Sequence, residues 1–200
     1  MFSKFRSLIF KIDPEIAHNL AIKSLKFNFV TNIFDQNKND PMFQTTLFGK
    51  KIDNPIGMAA GFDKNAEVYN PLFRLGFGFV EVGTVTPLKQ FGNPKPRVFR
   101  LEEDQALINR LGFNSFGTND VDSTIRSNPP NGLLGVNIGP NKDTKDKLND
   151  YLICLKTFHD IAGYITINIS SPNTENLRDF HDQNKFEKLI SAIKQEMKEL

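Results

Sequence analysis

The chain has 200 residues, 39% of them apolar and 24% charged, enough for one ordinary domain with a real core and incompatible with wholesale disorder. A net charge of +2 is too small for nucleic-acid binding by the chain as a whole, and the single cysteine, Cys154, excludes an internal disulfide. No Cys/His cluster has zinc spacing and no apolar run approaches the roughly 20 residues of a bilayer-spanning helix, nor does the N-terminus resemble a secretory signal.

Residues 1–30 set Lys4, Arg6, Lys11, Lys23 and Lys26 against only Asp13 and Glu15, interleaved with Phe2, Phe5, Leu8, Ile9, Phe10, Ile16, Leu20, Leu25, Phe27 and Phe29. This pattern fits a helical segment lying on a membrane surface, or equally a helical pair docked on a core. Asp13-Pro14-Glu15 predicts a helix start, with Asp as N-cap, Pro at the first position and Glu at the positive end of the dipole. A polar stretch at 35–40 serves as a linker, separating an N-terminal segment, 1–40, from a second unit, 41–200. Residues 45–48 and 51–52 predict a short hairpin around Gly49-Lys50.

From residue 55 the texture changes. Short apolar runs at 56–60, 79–83, 133–138 and 165–169 predict strands, with helices at 66–75 and 145–160 between some of them. The long loop after the second strand contains a second predicted hairpin, 98–101 with 106–109, and 184–200 predicts a charged amphipathic helix. Strand–helix alternation with strands apolar on both faces implies an α/β fold with a parallel sheet. The absence of GxGxxG after the first strand disfavours a dinucleotide-binding domain and leaves a (β/α)8 TIM barrel. A full barrel takes roughly 250 residues, so the expectation is the first half only, about four strands, inactive and poorly folded on its own.

Each chemically suggestive cluster follows the C-terminal end of a predicted strand, where parallel sheets and barrels place their sites. NISSPNT at 168–174 offers amide donors and acceptors suited to a pyrimidine edge, and Ser171 as a proton acceptor with Thr174 as a relay; the same residues also suit a capped turn. AAGFDKN at 59–65 has small residues that let a flat ring approach, and Lys64 could bind a carboxylate or tune a flavin; it also suits a helix N-terminus. NRLGFNS at 109–115 supplies a carboxamide and an aromatic wall, or simply closes the hairpin. Asn137, inside the strand of GVNIGPNK at 135–142, needs a hydrogen-bond partner that a bound cofactor would supply. No His-Asp partner accompanies Ser171, which excludes a Ser-His-Asp hydrolase.

These motifs, with EVGTVTP at 81–87 and FGNPKPR at 91–97, occur in the order and spacing of the dihydroorotate dehydrogenase family, which the sequence resembles along almost its whole length. Serine at 171, where the soluble subclass has cysteine, and FKIDPEIAH at 10–18 resemble the membrane-associated, quinone-using subclass. The resemblance implies FMN as cofactor, bound by Ala60, Gly61, Phe62, Asp63, Lys64, Thr84, Asn137 and Asn168. It implies a dihydroorotate (orotate) pocket lined by Lys64, Asn109, Arg110, Leu111, Gly112, Phe113, Asn168 and Asn173, with Ser171 as base and Thr174 beside it. It further implies a quinone entering between N-terminal helices near His18, and a peripheral location on the cytoplasmic side of the cell membrane. His159, His181 and Cys154 are expected to be structural. One departure from the family stands after Thr174, where Pro-Gly-Leu-Arg is usual and Glu175-Asn176-Leu177-Arg178 is present. Two other readings compete: a membrane-surface module with a vestigial barrel, and a related flavin barrel with another acceptor.

Overall fold

The computed structural model describes residues 9–27 and 40–200. The first eight residues, with Phe2, Lys4, Phe5, Arg6 and Leu8, and the stretch 28–39, with Phe29 and most of the expected linker, lie outside the described residues.

Helix α1 (Pro14–Lys26) begins where the sequence places it: the Asp13 carboxylate accepts the backbone N–H groups of Glu15 and Ile16 at 2.9 and 3.0 Å. One face buries Ile22 and Leu25 against the core, while Ile16, Leu20 and Phe27 lie outward and 54%, 51% and 69% exposed. A two-residue turn at Phe48-Gly49, both at positive φ, closes the hairpin of β1 (Thr45–Leu47) and β2 (Lys50–Ile52).

The central sheet is parallel and four-stranded, in the order β3 (Gly57–Met58), β4 (Phe79–Val85), β7 (Leu133–Ile138), β8 (Tyr164–Ile167). Between β4 and β7, β5 (Val98–Leu101) and β6 (Ala106–Asn109) form the second hairpin. Helices α2 (Tyr69–Arg74), α3 (Thr118–Ser127), α4 (Lys147–Phe158) and α5 (Gln183–Glu199) follow strands or hairpin, and they bury Tyr69, Leu72, Val121, Ile125, Tyr151, Leu155, Phe158 and Leu189.

The period of two along each strand sorts the side chains. Val80 and Val82 of β4, and Leu134, Val136 and Ile138 of β7, belong to the apolar core. The alternate positions, Glu81, Asn137, Tyr164 and Thr166, meet one another through hydrogen bonds on the opposite face. Gly135 lies between them because a Cβ there would meet the Tyr164 ring at 2.2 Å. At the lower end Phe48 of the first hairpin packs on Tyr164, ring centroids 4.8 Å apart. An inward polar row above an aromatic plug, with apolar outer faces, fits an α/β-barrel fold.

Two helices differ from expectation. The helix expected from 66 starts at Tyr69, because Ala66 takes a φ of 57° and the Asp63 carboxylate accepts the N–H groups of Glu67 and Val68, both at 2.7 Å. Helix α3 went unread in the sequence; only Val121 and Ile125 among its ten residues are apolar.

Candidate active site

The C-terminal ends of the four parallel strands open on a cavity of about 350 Å³. It is lined by Ala60, Gly61, Lys64, Thr84, Asn109, Leu111, Gly112, Phe113, Asn137, Asn168, Ser171 and Asn173, all anticipated from the sequence, and also by Ala59, Glu81, Gly83 and Asn114, which were not. The floor is a connected polar network. Thr84 Oγ1 donates to Asn137 Oδ1 at 2.6 Å, and the Asn168 amide donates to both Thr84 Oγ1 and Asn137 Oδ1 at 3.0 and 3.2 Å. Asn137 in turn donates to Glu81 Oε1 at 2.8 Å. The protein's own side chains therefore partner the Asn137 carbonyl and one of its two amide hydrogens, although the residue is only 6% exposed, so a cofactor is not needed for these first partners. Gly83, at a φ of 109°, brings the backbone of β4 against β7: an added Cβ would lie 2.4 Å from the Asn137 carbonyl oxygen.

Lys64 donates from Nζ to the Gly61 carbonyl at 2.6 Å. Burial lowers its pKa, and the nearby Arg97 charge lowers it further, against the opposing pull of Glu15 and Asp63. Asn173 reaches Asn109 Oδ1 at 3.4 Å, joining the loop after β8 to the end of the second hairpin. Ser171 Oγ accepts the backbone N–H of Asn173 at 3.2 Å. A backbone N–H at that oxygen favours negative charge on it. In the departing loop Asn176 takes a φ of 54°, a left-handed conformation that asparagine tolerates. Arg178 Nε then anchors the loop to the Ser170 carbonyl at 3.2 Å.

Four expected residues are not brought to this cavity. Asp63 is fully buried as a backbone cap, and Phe62 packs edge-on against His18 at 5.3 Å between centroids. The Arg110 guanidinium binds the Pro96 carbonyl at 2.9 Å, and Thr174 is buried, its carbonyl accepting the N–H of Leu177. His159 and His181 bond backbone carbonyls, and buried Cys154 packs beneath β4 with burial pushing its thiol pKa up.

A second cavity, of about 380 Å³, lies between α1, the second hairpin and the 61–67 segment, and shares Gly61, Lys64, Asn109, Leu111 and Asn114 with the first. His18, Ile22, Val98, Arg100 and Leu107 line it. Burial lowers the His18 pKa, and the charge of Lys64 lowers it further, so the ring stays neutral at lower pH than an ordinary histidine. The sequence carries a signal for Glu81: one carboxylate in the otherwise apolar run FVEVG.

A parallel sheet whose strand ends gather a lysine, asparagines and a serine around one cavity, with a second cavity adjoining it, fits the site of an α/β-barrel enzyme. The family model for dihydroorotate dehydrogenase matches residues 42–200, and the chain belongs to that family. It is 52% identical over 196 residues to the dihydroorotate dehydrogenase (quinone) of Bartonella tribocorum, covering 97% of this chain and 53% of that one. It is 49% identical over 188 residues to the enzyme of the same name from Agrobacterium fabrum, covering 94% and 51%. The ligand-free dihydroorotate dehydrogenase structure from Eimeria tenella superposes with a TM-score of 0.87 at 40% identity, covering 94% of this chain and 54% of that one. Its complex with ferulenol gives 0.84 at 39% identity, covering 94% and 52%. The chain spans about half the length of the curated relatives it matches. Among the described residues no helix is long and apolar enough to cross a membrane.

Proposed function

We propose that this chain is part of a quinone-linked, FMN-dependent dihydroorotate dehydrogenase. In this reading residues 41–200 form the first half of a (β/α)8 barrel behind an N-terminal helical segment, 1–40. The observation that carries it is the convergence of Lys64, Asn109, Asn137, Asn168, Ser171 and Asn173 on one cavity that opens toward a second.

The residues present fit a flavin ring. Gly61, at a φ of 104°, has open space where a Cβ would be, so the ring can approach the backbone. Asn114 adds a buried Oδ1 with no partner among the described residues, an acceptor ready for a ligand N–H. Ala60, Gly61, Thr84, Asn137 and Asn168 would hold the ring, while barrel phosphate sites lie after later strands. The cofactor, when bound, supplies the two-electron acceptor.

The chain's own side chains do the rest. Lys64 neutralises the substrate carboxylate, while Asn109 and Asn173 hold the dihydropyrimidine amide edges. Ser171 takes the proton from the carbon next to the one being oxidised while its own hydroxyl proton passes to solvent, so the oxygen ends neutral. Its weak basicity is offset by fixed geometry, with the Asn173 N–H supporting negative charge on the oxygen as the hydroxyl proton leaves. The second cavity takes the quinone, apolar along Ile22, Val98 and Leu107, with His18 as its polar contact. The exposed Ile16 and Leu20 on α1, with Phe27 just past its end, offer an apolar face to a membrane surface beside that cavity, in a peripheral location on the cytoplasmic side.

The test is the full-length gene product. It should purify yellow, reduce a quinone analogue with dihydroorotate in preference to fumarate or nicotinamide, and float with liposomes only when residues 1–30 are present. A colourless protein, or one that prefers a soluble acceptor, overturns the reading.

A further inference from the structure

The carboxylate of Glu81 lies on the inward face of β4, below the asparagines, and the chemistry described so far leaves it without a role. Oε1 accepts the Asn137 amide N–H at 2.8 Å, and Oε2 accepts the hydroxyls of Tyr164 and Thr166 at 3.1 and 3.0 Å. Asn137 has two ways to sit in its slot, with carbonyl and amide exchanged. In the observed one its Oδ1 receives two donors, from Thr84 and Asn168, and its nitrogen faces an oxygen that can only accept. Exchanging them sets Asn137 oxygen against carboxylate oxygen and amide N–H against amide N–H, which costs at both ends.

We propose that Glu81 is a positioning residue that fixes the orientation of Asn137, so that Asn137 keeps one amide hydrogen to offer and the ring bound above it must present an acceptor edge. The proposal rests on the flavin reading given above. The same arrangement carries order from below: Phe48 packs on Tyr164, Tyr164 bonds Glu81, and Glu81 orients Asn137, which accepts from Asn168. Loss of the carboxylate frees Asn137 to turn without removing any residue from the cavity wall that the leading reading needs.

The experiment measures FMN affinity of the full-length protein by quenching of flavin fluorescence, after removal of bound flavin. Glu81→Leu should weaken binding at least tenfold, Asn137→Ala comparably, and the double variant no more than either alone. Glu81→Gln should restore affinity to within about threefold of the unchanged protein, because its oxygen still accepts from Asn137 and the two hydroxyls can rotate to accept from its amide. Losses that add in the double variant, or a glutamine variant as weak as the leucine one, overturn the proposal by making Glu81 a general structural support. If Glu81→Leu does not fold, Glu81→Gln with Asn137→Asp decides. That pair reverses the bond between the two residues, keeps both acceptors for Thr84 and Asn168, and leaves no hydrogen for the ring. It should melt like the unchanged protein yet bind FMN at least tenfold more weakly; normal binding overturns the proposal. If the unchanged protein takes up no FMN, the flavin reading itself falls and Glu81's role with it, a result distinct from unchanged binding in the Glu81 variants.

Discussion

Helix α1 is held to the rest of the fold by one ion pair that differs sharply from the others. Arg97, with 6% of its side chain exposed, grips Glu15, 14% exposed, through two bonds of 2.6 and 3.1 Å, and its remaining N–H groups bind the carbonyls of Phe91 and Asn93. Removing one partner of a buried pair leaves an uncompensated charge and costs about 3–5 kcal/mol. Glu15→Ala should fall at the low end, about 3 kcal/mol, because Arg97 keeps its two carbonyl acceptors. Arg97→Met should cost about 1 kcal/mol more, because it strands those carbonyls as well. Urea unfolding of the full-length protein measures both. The double variant should cost less than the sum by at least about 1.5 kcal/mol, as expected for residues in direct contact. In contrast Lys26–Glu67, whose lysine is 47% exposed, should contribute at most about 1 kcal/mol. The pH dependence follows from the sign of the shift. Hydrogen bonding to Arg97 lowers the Glu15 pKa in the folded state. The stabilisation is therefore complete above the ordinary glutamate range and is lost as pH falls through the depressed folded value. The gap between the unchanged protein and Glu15→Gln should close in acid. Strictly additive losses, or a gap that persists unchanged in acid, would refute the reasoning.

Three further predictions follow from the site. Gly83→Ala should lower stability by at least about 2 kcal/mol through positive-φ strain and the clash with the Asn137 carbonyl, with reduced flavin content on purification as the check. Because burial lowers the Lys64 pKa, its ammonium is lost at lower pH than that of an ordinary lysine, so KM for dihydroorotate should begin to rise on the alkaline side before the usual lysine range; a KM flat through that region contradicts the role. Tyr151→Phe removes the hydroxyl that donates to the Asn168 carbonyl at 2.6 Å and should cost about 1–2 kcal/mol in thermal unfolding measurements, with FMN affinity falling as Asn168 loosens.

Regular elements with unambiguous patterns were legible in the sequence. The strand at 133–138 and the hairpin of 98–101 with 106–109 fall where their β-branched and apolar runs place them, and Asp13-Pro14 marks the start of α1. What tertiary bonding decides was less legible. The strand expected over 56–60 shortens to Gly57–Met58 as the chain turns into the 59–61 segment, and the following helix begins only after the Asp63 carboxylate has taken the N–H groups of Glu67 and Val68. Within the site, residue types pointed to Lys64, Asn137 and Ser171, but nothing local says which way a side chain turns. Asp63 and Thr174 sit inside the same motifs and turn into the fold, while Asn137 spends its carbonyl on Thr84 and Asn168. Asn114 was part of a quoted motif yet unassigned, and its orphaned oxygen at the junction of the two cavities is visible only in three dimensions.

The central claim is that these strand ends hold a flavin and a dihydropyrimidine together with Ser171 beside the acidic carbon. Rapid anaerobic mixing of the full-length protein with dihydroorotate, following loss of flavin absorbance, tests it most directly. Ser171→Ala should retain its flavin and bleach roughly 10²–10⁴ times more slowly, the usual contribution of a general base. Bleaching at the rate of the unchanged protein would contradict the account.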